Sequence, residues 1–350
     1  WAFYINIPLG IVALIVTWFT MKLPRVRREA RIDWAGAGLL GVAVAALTLL
    51  TSWGGSTYAW DSWQIIGLAA LTIVAGASFV VVERRQAEPI LSLALFRDRS
   101  FSAATALSFL TGFAMFGAVT FLPQFQQIVQ GASATSSGLL LLPMMAGMLT
   151  TSLIGGQIVT RTGRYRWQIV AGSVVMTFGL ALFSTMGPGT SHLTSSVFMV
   201  VLGIGMGLMM QTTMLVVQNS VPMSELGAAS GAATLFRTVG GSLGVSLLGA
   251  FYARHLEGTL TERLGAAAGS EVSGGEITPA MLDGLPTPVR DAFTAAVSNG
   301  VTTAFLVAAG VAVIAIAAAL LIRETPLRTS NRSERALAGC RPASGRAGGV

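Results

Sequence analysis

Arg237 is the residue of this chain whose position asks for a chemical explanation. It lies about eleven residues into the apolar run 226–252, and a charge at such a depth in a bilayer costs roughly 2.5–3.5 kcal/mol unless it pairs or snorkels. Two readings stand side by side. The guanidinium serves a substrate, an acidic partner or gate carbonyls, or it reaches back to the headgroups at the end where the run begins. Gln211, Thr212 and Thr213 fall in another apolar run, 194–217, with Met206, Met209, Met210 and Met214 around them. Methionine is polarisable and unbranched, which suits a surface that accepts varied apolar ligands. Phe113, Met115 and Phe116 offer an aromatic wall on the run 100–122. Each of these apolar residues has an equally ordinary use as a packing or lipid-facing side chain.

Other chemistry is missing where it would be needed. No Asp or Glu falls well inside an apolar run; Asp33 and Glu83 stand at their edges. A membrane-buried carboxylate that binds a proton is therefore not expected from this stretch. No G-x-x-x-x-G-K-[ST] phosphate loop occurs, so ATP hydrolysis by that route is not expected. Gly203-x-Gly205-x-Gly207 sits mid-run rather than after a strand, which rejects a dinucleotide fingerprint. No enzyme activity, cofactor or metal site is anticipated, and His192 and His255 read as loop residues. Cys340 is the only cysteine, so no disulfide forms within the chain.

The elements that must position these residues are apolar helices. A helix needs about 20 apolar residues to cross about 30 Å of hydrocarbon. Nine runs qualify, at roughly 3–21, 34–53, 64–82, 100–122, 137–158, 168–186, 194–217, 226–252 and 298–322. The composition agrees, with 53% hydrophobic and 11% charged residues and a mean hydropathy of +0.70. Arg and Lys alternate between loops. One set carries Lys22, Arg25, Arg27, Arg28 and Arg31, then Arg84, Arg85, Arg97 and Arg99, then Arg161, Arg164 and Arg166, then the C-terminal arginines. Loops 54–63, 123–136 and 187–193 carry none. Positive loops face the cytoplasm, which places residue 1 outside and the C-terminus inside, in a cell membrane. Loop 218–225 lacks a positive charge, and the long loop 253–297 carries Arg254, Arg263 and Arg290. The net charge of +7 is thereby assigned to orientation and anionic headgroups, and no nucleic-acid partner is expected. Gly36/Gly38/Gly41, Gly203/Gly207 and Gly240/Gly244 form faces of small residues that let helices approach closely. Trp53, Trp60 and Trp63 read as interfacial anchors.

Four blocks carry a family resemblance. The opening Trp1-Ala2-Phe3-Tyr4-Ile5-Asn6-Ile7-Pro8-Leu9-Gly10 is similar to the segment before the sixth helix of the 14-helix drug:proton antiporters of the major facilitator superfamily. Leu122 to Ser133, with Gly138 and Leu142-Pro143, resembles the end of that family's ninth helix and the start of its tenth. Gly203 to Gly207, with Gln211 and Val217 to Pro222, resembles the twelfth helix and the loop after it. Gly227 to Gly231, with Phe236-Arg237 and Gly240 to Gly244, resembles the thirteenth. The resemblance covers residues 1 to about 325. A weaker match, Gly156-Gln157-Ile158-Val159-Thr160-Arg161-Thr162-Gly163-Arg164, resembles the superfamily's G-x-L-x-D-R-x-G-R gating loop, with Thr160 in place of the acid.

The resemblance implies an all-α polytopic membrane protein of major facilitator fold whose nine helices are the equivalents of the sixth to fourteenth. Residues 1–33 would be the last helix of an N-terminal bundle with a cytoplasmic linker, and 34–83 the extra central helix pair. Residues 84–325 would form the C-terminal six-helix bundle with an external loop 253–297, and 326–350 a disordered tail. Five upstream helices, about 150 residues at about 20 per span plus loops, would be absent, and with them the family's proton-linked acid. The 350-residue chain alone is therefore expected to move little or no substrate. The implied function is secondary active efflux of amphiphilic drugs or antibiotics in exchange for protons. The implied partners are a small amphiphilic substrate, protons and the bilayer, with a periplasmic or outer-membrane partner left open. Phe113, Phe116, Met210, Gln211, Thr212, Met214 and Arg237 are the substrate-pathway candidates, and Gly156, Arg161, Gly163 and Arg164 the gating loop. An exporter of one metabolite or self-made antibiotic, or a truncated fragment that transports nothing, are the alternatives.

Overall fold

In the computed structural model the described residues are 4, 6–20, 33–55, 57–86, 90–265 and 286–324. Among them every long element is a helix. α1 spans Asn6–Thr20, α2 Trp34–Trp53, α3 Trp63–Glu83, α4 Arg99–Ile128, α5 Ala134–Leu139, α6 Leu142–Thr162, α7 Arg166–Phe183, α8 His192–Asn219, α9 Leu226–Leu264 and α10 Thr287–Leu321. Eight spans are long and apolar enough to cross a membrane, counting α5 and α6 together; α1 is apolar but only 15 residues long. Polar caps fix where the helices start. The side chains of Asp33, Asp98 and Ser191 accept the backbone N–H groups of Gly36, Phe101 and Thr194, satisfying donors that a first turn leaves open.

α4, α6, α7, α8, α9 and α10 form one bundle. α4 packs on α8, α9 and α10; α8 also packs on α6 and α7, and α10 on α7 and α9. α4 is the centre: 67% of its most apolar stretch is buried, against 22% for α5–α6, which turns Leu149 and Leu153 outward. Such exposed apolar faces are what lipid contact asks for. α2 and α3 form a separate antiparallel pair, held to α9 through α2 and by a 2.8 Å hydrogen bond between the Thr51 and Ser242 hydroxyls.

The glycine faces divide. A Cβ on Gly240 would overlap the Phe109 carbonyl, and one on Gly244 would lie 2.8 Å from the Phe113 carbonyl, so both set the α4–α9 approach. Gly203 and Gly207 meet the Met144 and Met148 carbonyls in the same way, between α8 and α6. The expectation fails for Gly38 and Gly41, which have nothing within 4 Å, whereas Gly36 meets two carboxylates.

Loop 253–297 is also corrected at both ends. α9 continues to Leu264 and α10 begins at Thr287, because apolar and helix-favouring residues carry both helices past the apolar run. Residues 266–285, the positively charged segment 21–32, and the tail from 325 lie outside the described residues, as do Trp1, Ala2, Phe3 and Ile5 of the opening block.

Candidate functional site

α4, α8 and α9 leave a cleft between them, lined by Ser108 and Thr111 from α4, Met210, Thr213 and Met214 from α8, and Ala233, Thr234 and Arg237 from α9. It is narrow: most of its roughly 280 Å³ is open solvent at the mouth, and the enclosed part has room for about one water. Arg237 stands about eleven residues from the start of α9, or about 16 Å along a helix rising 1.5 Å per residue. That start lies at the arginine-rich end of the bundle, where Arg161, Arg164 and Arg166 flank the α6–α7 turn and are exposed. Gly112 explains how the cleft is held. A Cβ there would overlap the Arg237 carbonyl, so the backbones of α4 and α9 touch beside the guanidinium stem.

The polar atoms of the cleft are unequal. Ser108 and Thr234 spend their hydroxyl hydrogens on the helix itself, donating to the Ala104 carbonyl at 3.1 Å and the Ser230 carbonyl at 3.0 Å. Thr111 and Thr213 do not: both side-chain oxygens are buried without a hydrogen-bond partner. An unmet buried hydroxyl costs about 1–3 kcal/mol, so two of them facing one cleft mark a place where a ligand or water completes the bonding. No Asp or Glu lines the cleft. Its fixed charge is the single guanidinium, and its apolar wall is Met210 and Met214.

The structure brings together four of the residues singled out from the sequence, Met210, Thr213, Met214 and Arg237, and sets the other pathway candidates elsewhere. Gln211 leans on α6, its side-chain amide 3.7 Å from where a Gly156 Cβ would stand, so it adjoins the start of the stretch 156–164. Thr212 is buried and donates to Gln168 Oε1 at 3.3 Å, while Gln168 Nε2 donates to the Gly155 carbonyl at 3.1 Å. That chain ties α8, α7 and α6. Phe113 is buried against Gly244, and the Phe116 ring occupies the space a Cβ on Gly241 would need. Ser108, Thr111 and Thr234 were not singled out. The signal available was the i, i+3 spacing of Ser108 and Thr111, which puts two hydroxyls on one helix face.

The stretch 156–164 is a loop only at its end: residues 156–162 form the last turns of α6, and the turn that the glycine suggests comes at Gly163. Gly163 adopts φ +70° and its N–H donates to the Val159 carbonyl at 2.8 Å, closing α6 in a left-handed cap. Thr160, in the place of the acid, donates to the Gly156 carbonyl and so serves its own helix. Arg161 and Arg164 are exposed.

Among the described residues the chain is a bundle of apolar helices with a polar cleft among three of them. The family model of the Major Facilitator Superfamily matches residues 1–245. The chain belongs to that superfamily. An uncharacterized MFS-type transporter of Mycobacterium tuberculosis is 41% identical over 331 residues, covering 93% of this chain and 47% of its own. The multidrug transporter protein MdtP of Bacillus subtilis is 40% identical over 264 residues, 75% of this chain and 49% of its own. A tetracycline resistance determinant of Streptomyces rimosus is 35% identical over 218 residues, 62% of each chain. The chain spans about half the length of the first two of these relatives.

Proposed function

We propose that this chain works in a secondary active exporter of amphiphilic drugs or antibiotics, exchanged for protons, of the 14-helix branch of the superfamily. The observation that carries the reading is the cleft of Arg237, the orphan hydroxyls of Thr111 and Thr213, and the Met210/Met214 wall. An amphiphile presents an apolar body to the methionines and an oxygen to the hydroxyls and the guanidinium. Similarity to a multidrug transporter and to a tetracycline resistance determinant supports the same substrate class. In this reading α2 and α3 are the extra central pair and the arginine-rich end faces the cytoplasm. The turn at Gly156, Arg161, Gly163 and Arg164 belongs to the gate on that side. Gln211 borders that gate, and Thr212, Phe113 and Phe116 hold the helices that frame the cleft.

The test uses inside-out membrane vesicles from cells expressing the chain together with the upstream helices that the family resemblance implies. A proton gradient is imposed, and uptake of ethidium and of tetracycline is followed with and without a protonophore. Gradient-dependent accumulation of either establishes drug:proton antiport. Because the cleft's own charge is positive, tetracycline, which carries ionisable oxygens, is expected to accumulate more strongly than the cationic dye. Accumulation of neither overturns the broad-export reading and directs screening to single metabolites.

A further inference from the structure

The base of the α2–α3 pair holds a second polar site, apart from the cleft. Asp33 precedes α2 and Glu83 ends α3, and they are 7% and 3% exposed. One oxygen of each is accounted for. Asp33 Oδ1 accepts the Gly36 N–H at 2.9 Å and the Gln86 side-chain amide at 3.1 Å, and Glu83 Oε1 accepts the Leu91 N–H. The other two oxygens, Asp33 Oδ2 and Glu83 Oε2, are buried with no hydrogen-bond partner. Both lie against Gly36. A Cβ there would overlap Asp33 Oδ2 and stand 3.0 Å from Glu83 Oε2, so the bare glycine backbone is what lets the two carboxyls converge.

We propose that Asp33 and Glu83 hold one proton between them, as a proton-binding site at the base of the α2–α3 pair. Two ionised carboxylates with converging, unsatisfied oxygens repel strongly where water is excluded. One proton converts the repulsion into an O–H···O⁻ hydrogen bond and satisfies both orphan oxygens at once. The proton belongs to the pair rather than to either residue. A divalent cation fits worse, since calcium takes six to eight oxygens and magnesium six. Here two of the four carboxyl oxygens already accept N–H groups, and among the described residues no cluster of three potential metal ligands exists. The charged groups of neighbouring described segments do not neutralise the pair. Arg84 and Arg85 after α3, and Arg97, Asp98 and Arg99 before α4, are exposed. Glu225 lies in the turn just before α9, which packs on α2, and Arg237 stands about three turns along α9, in the cleft. The site has a mechanical consequence: Glu83 grips the Leu91 N–H, so its protonation bears on the segment leading into α4, which carries Ser108 and Thr111.

The test is an infrared titration of the purified protein in lipid nanodiscs, comparing wild type with Asp33→Asn, Glu83→Gln and the double variant. Asn keeps a good helix cap and Gln keeps the shape. The expected result is a protonated-carboxyl C=O band in wild type that persists to higher pH than in either single variant and is lost in the double variant. A band unaffected by either substitution overturns the proposal. In parallel, wild-type protein is treated with dicyclohexylcarbodiimide, which attacks protonated carboxyls, and its adducts are mapped by peptide mass spectrometry. An adduct on Asp33 or Glu83 at neutral pH that fades on alkalinisation supports the shared proton even where a variant fails to assemble. Absence of both the band and the adduct overturns it. Neither readout requires transport, so failure here is distinguishable from failure of the export reading.

Discussion

The cleft among α4, α8 and α9 and the carboxyl pair beneath α2 and α3 are opposite solutions to one problem. Each holds two buried oxygens without partners, Thr111 and Thr213 in the first and Asp33 and Glu83 in the second. The cleft is open, carries a guanidinium and has a methionine wall. The carboxyl site is closed over Gly36, and the charged groups that meet there among the described residues are acids. Unmet polar atoms therefore do not by themselves say what completes them; the surrounding space does. A cleft that opens outward with a charge and an apolar wall suggests an organic ligand at its mouth, and room for a hydrogen suggests a proton.

That contrast is open to experiment, beginning with the harshest test. Gly112→Val drives a branched side chain into the Arg237 carbonyl. Overpacking of this kind costs about 1–3 kcal/mol or more, so a clear fall in detergent-solubilised melting temperature and loss of transport are expected. Retention of both would mean that α4 and α9 do not touch as described. Next, Arg237→Ala should reduce substrate uptake about tenfold or more, which corresponds to about 1.4 kcal/mol, with normal membrane levels on immunoblots. Unchanged uptake would show that the guanidinium only reaches for headgroups.

Thr111→Val and Thr213→Val discriminate more finely. Each removes an orphan hydroxyl while keeping its shape, so melting temperature should hold or rise. Uptake should drop roughly fivefold for each, the worth of one hydrogen bond of about 1 kcal/mol. Loss of stability with unchanged uptake would make these hydroxyls structural and leave the cleft without a ligand role. The mildest change is Gly38→Ala on α2. With nothing within 4 Å and a better helix former in place, melting temperature and uptake should both be unchanged or slightly improved. A marked loss would reveal a helix packed on that face.

The sequence alone determined that the chain is a set of membrane helices, because crossing hydrocarbon requires long apolar runs and those are countable without knowing any contact. It also marked Arg237, since a charge inside such a run is conspicuous by position. Gly203/Gly207 and Gly240/Gly244 were legible for the same local reason, a repeat on one helix face. Tertiary structure decided the rest. Gln211, Thr212 and Thr213 are consecutive, yet successive residues of a helix point about 100° apart. Gln211 faces Gly156, Thr212 bonds to Gln168, and Thr213 alone opens on the cleft. Asp33 and Glu83 stand fifty positions apart at the edges of two apolar runs; only the pairing of α2 with α3 buries them together. Periodicity and composition are properties of one segment, whereas a site is a property of the space between segments, and that space exists only after the helices have packed.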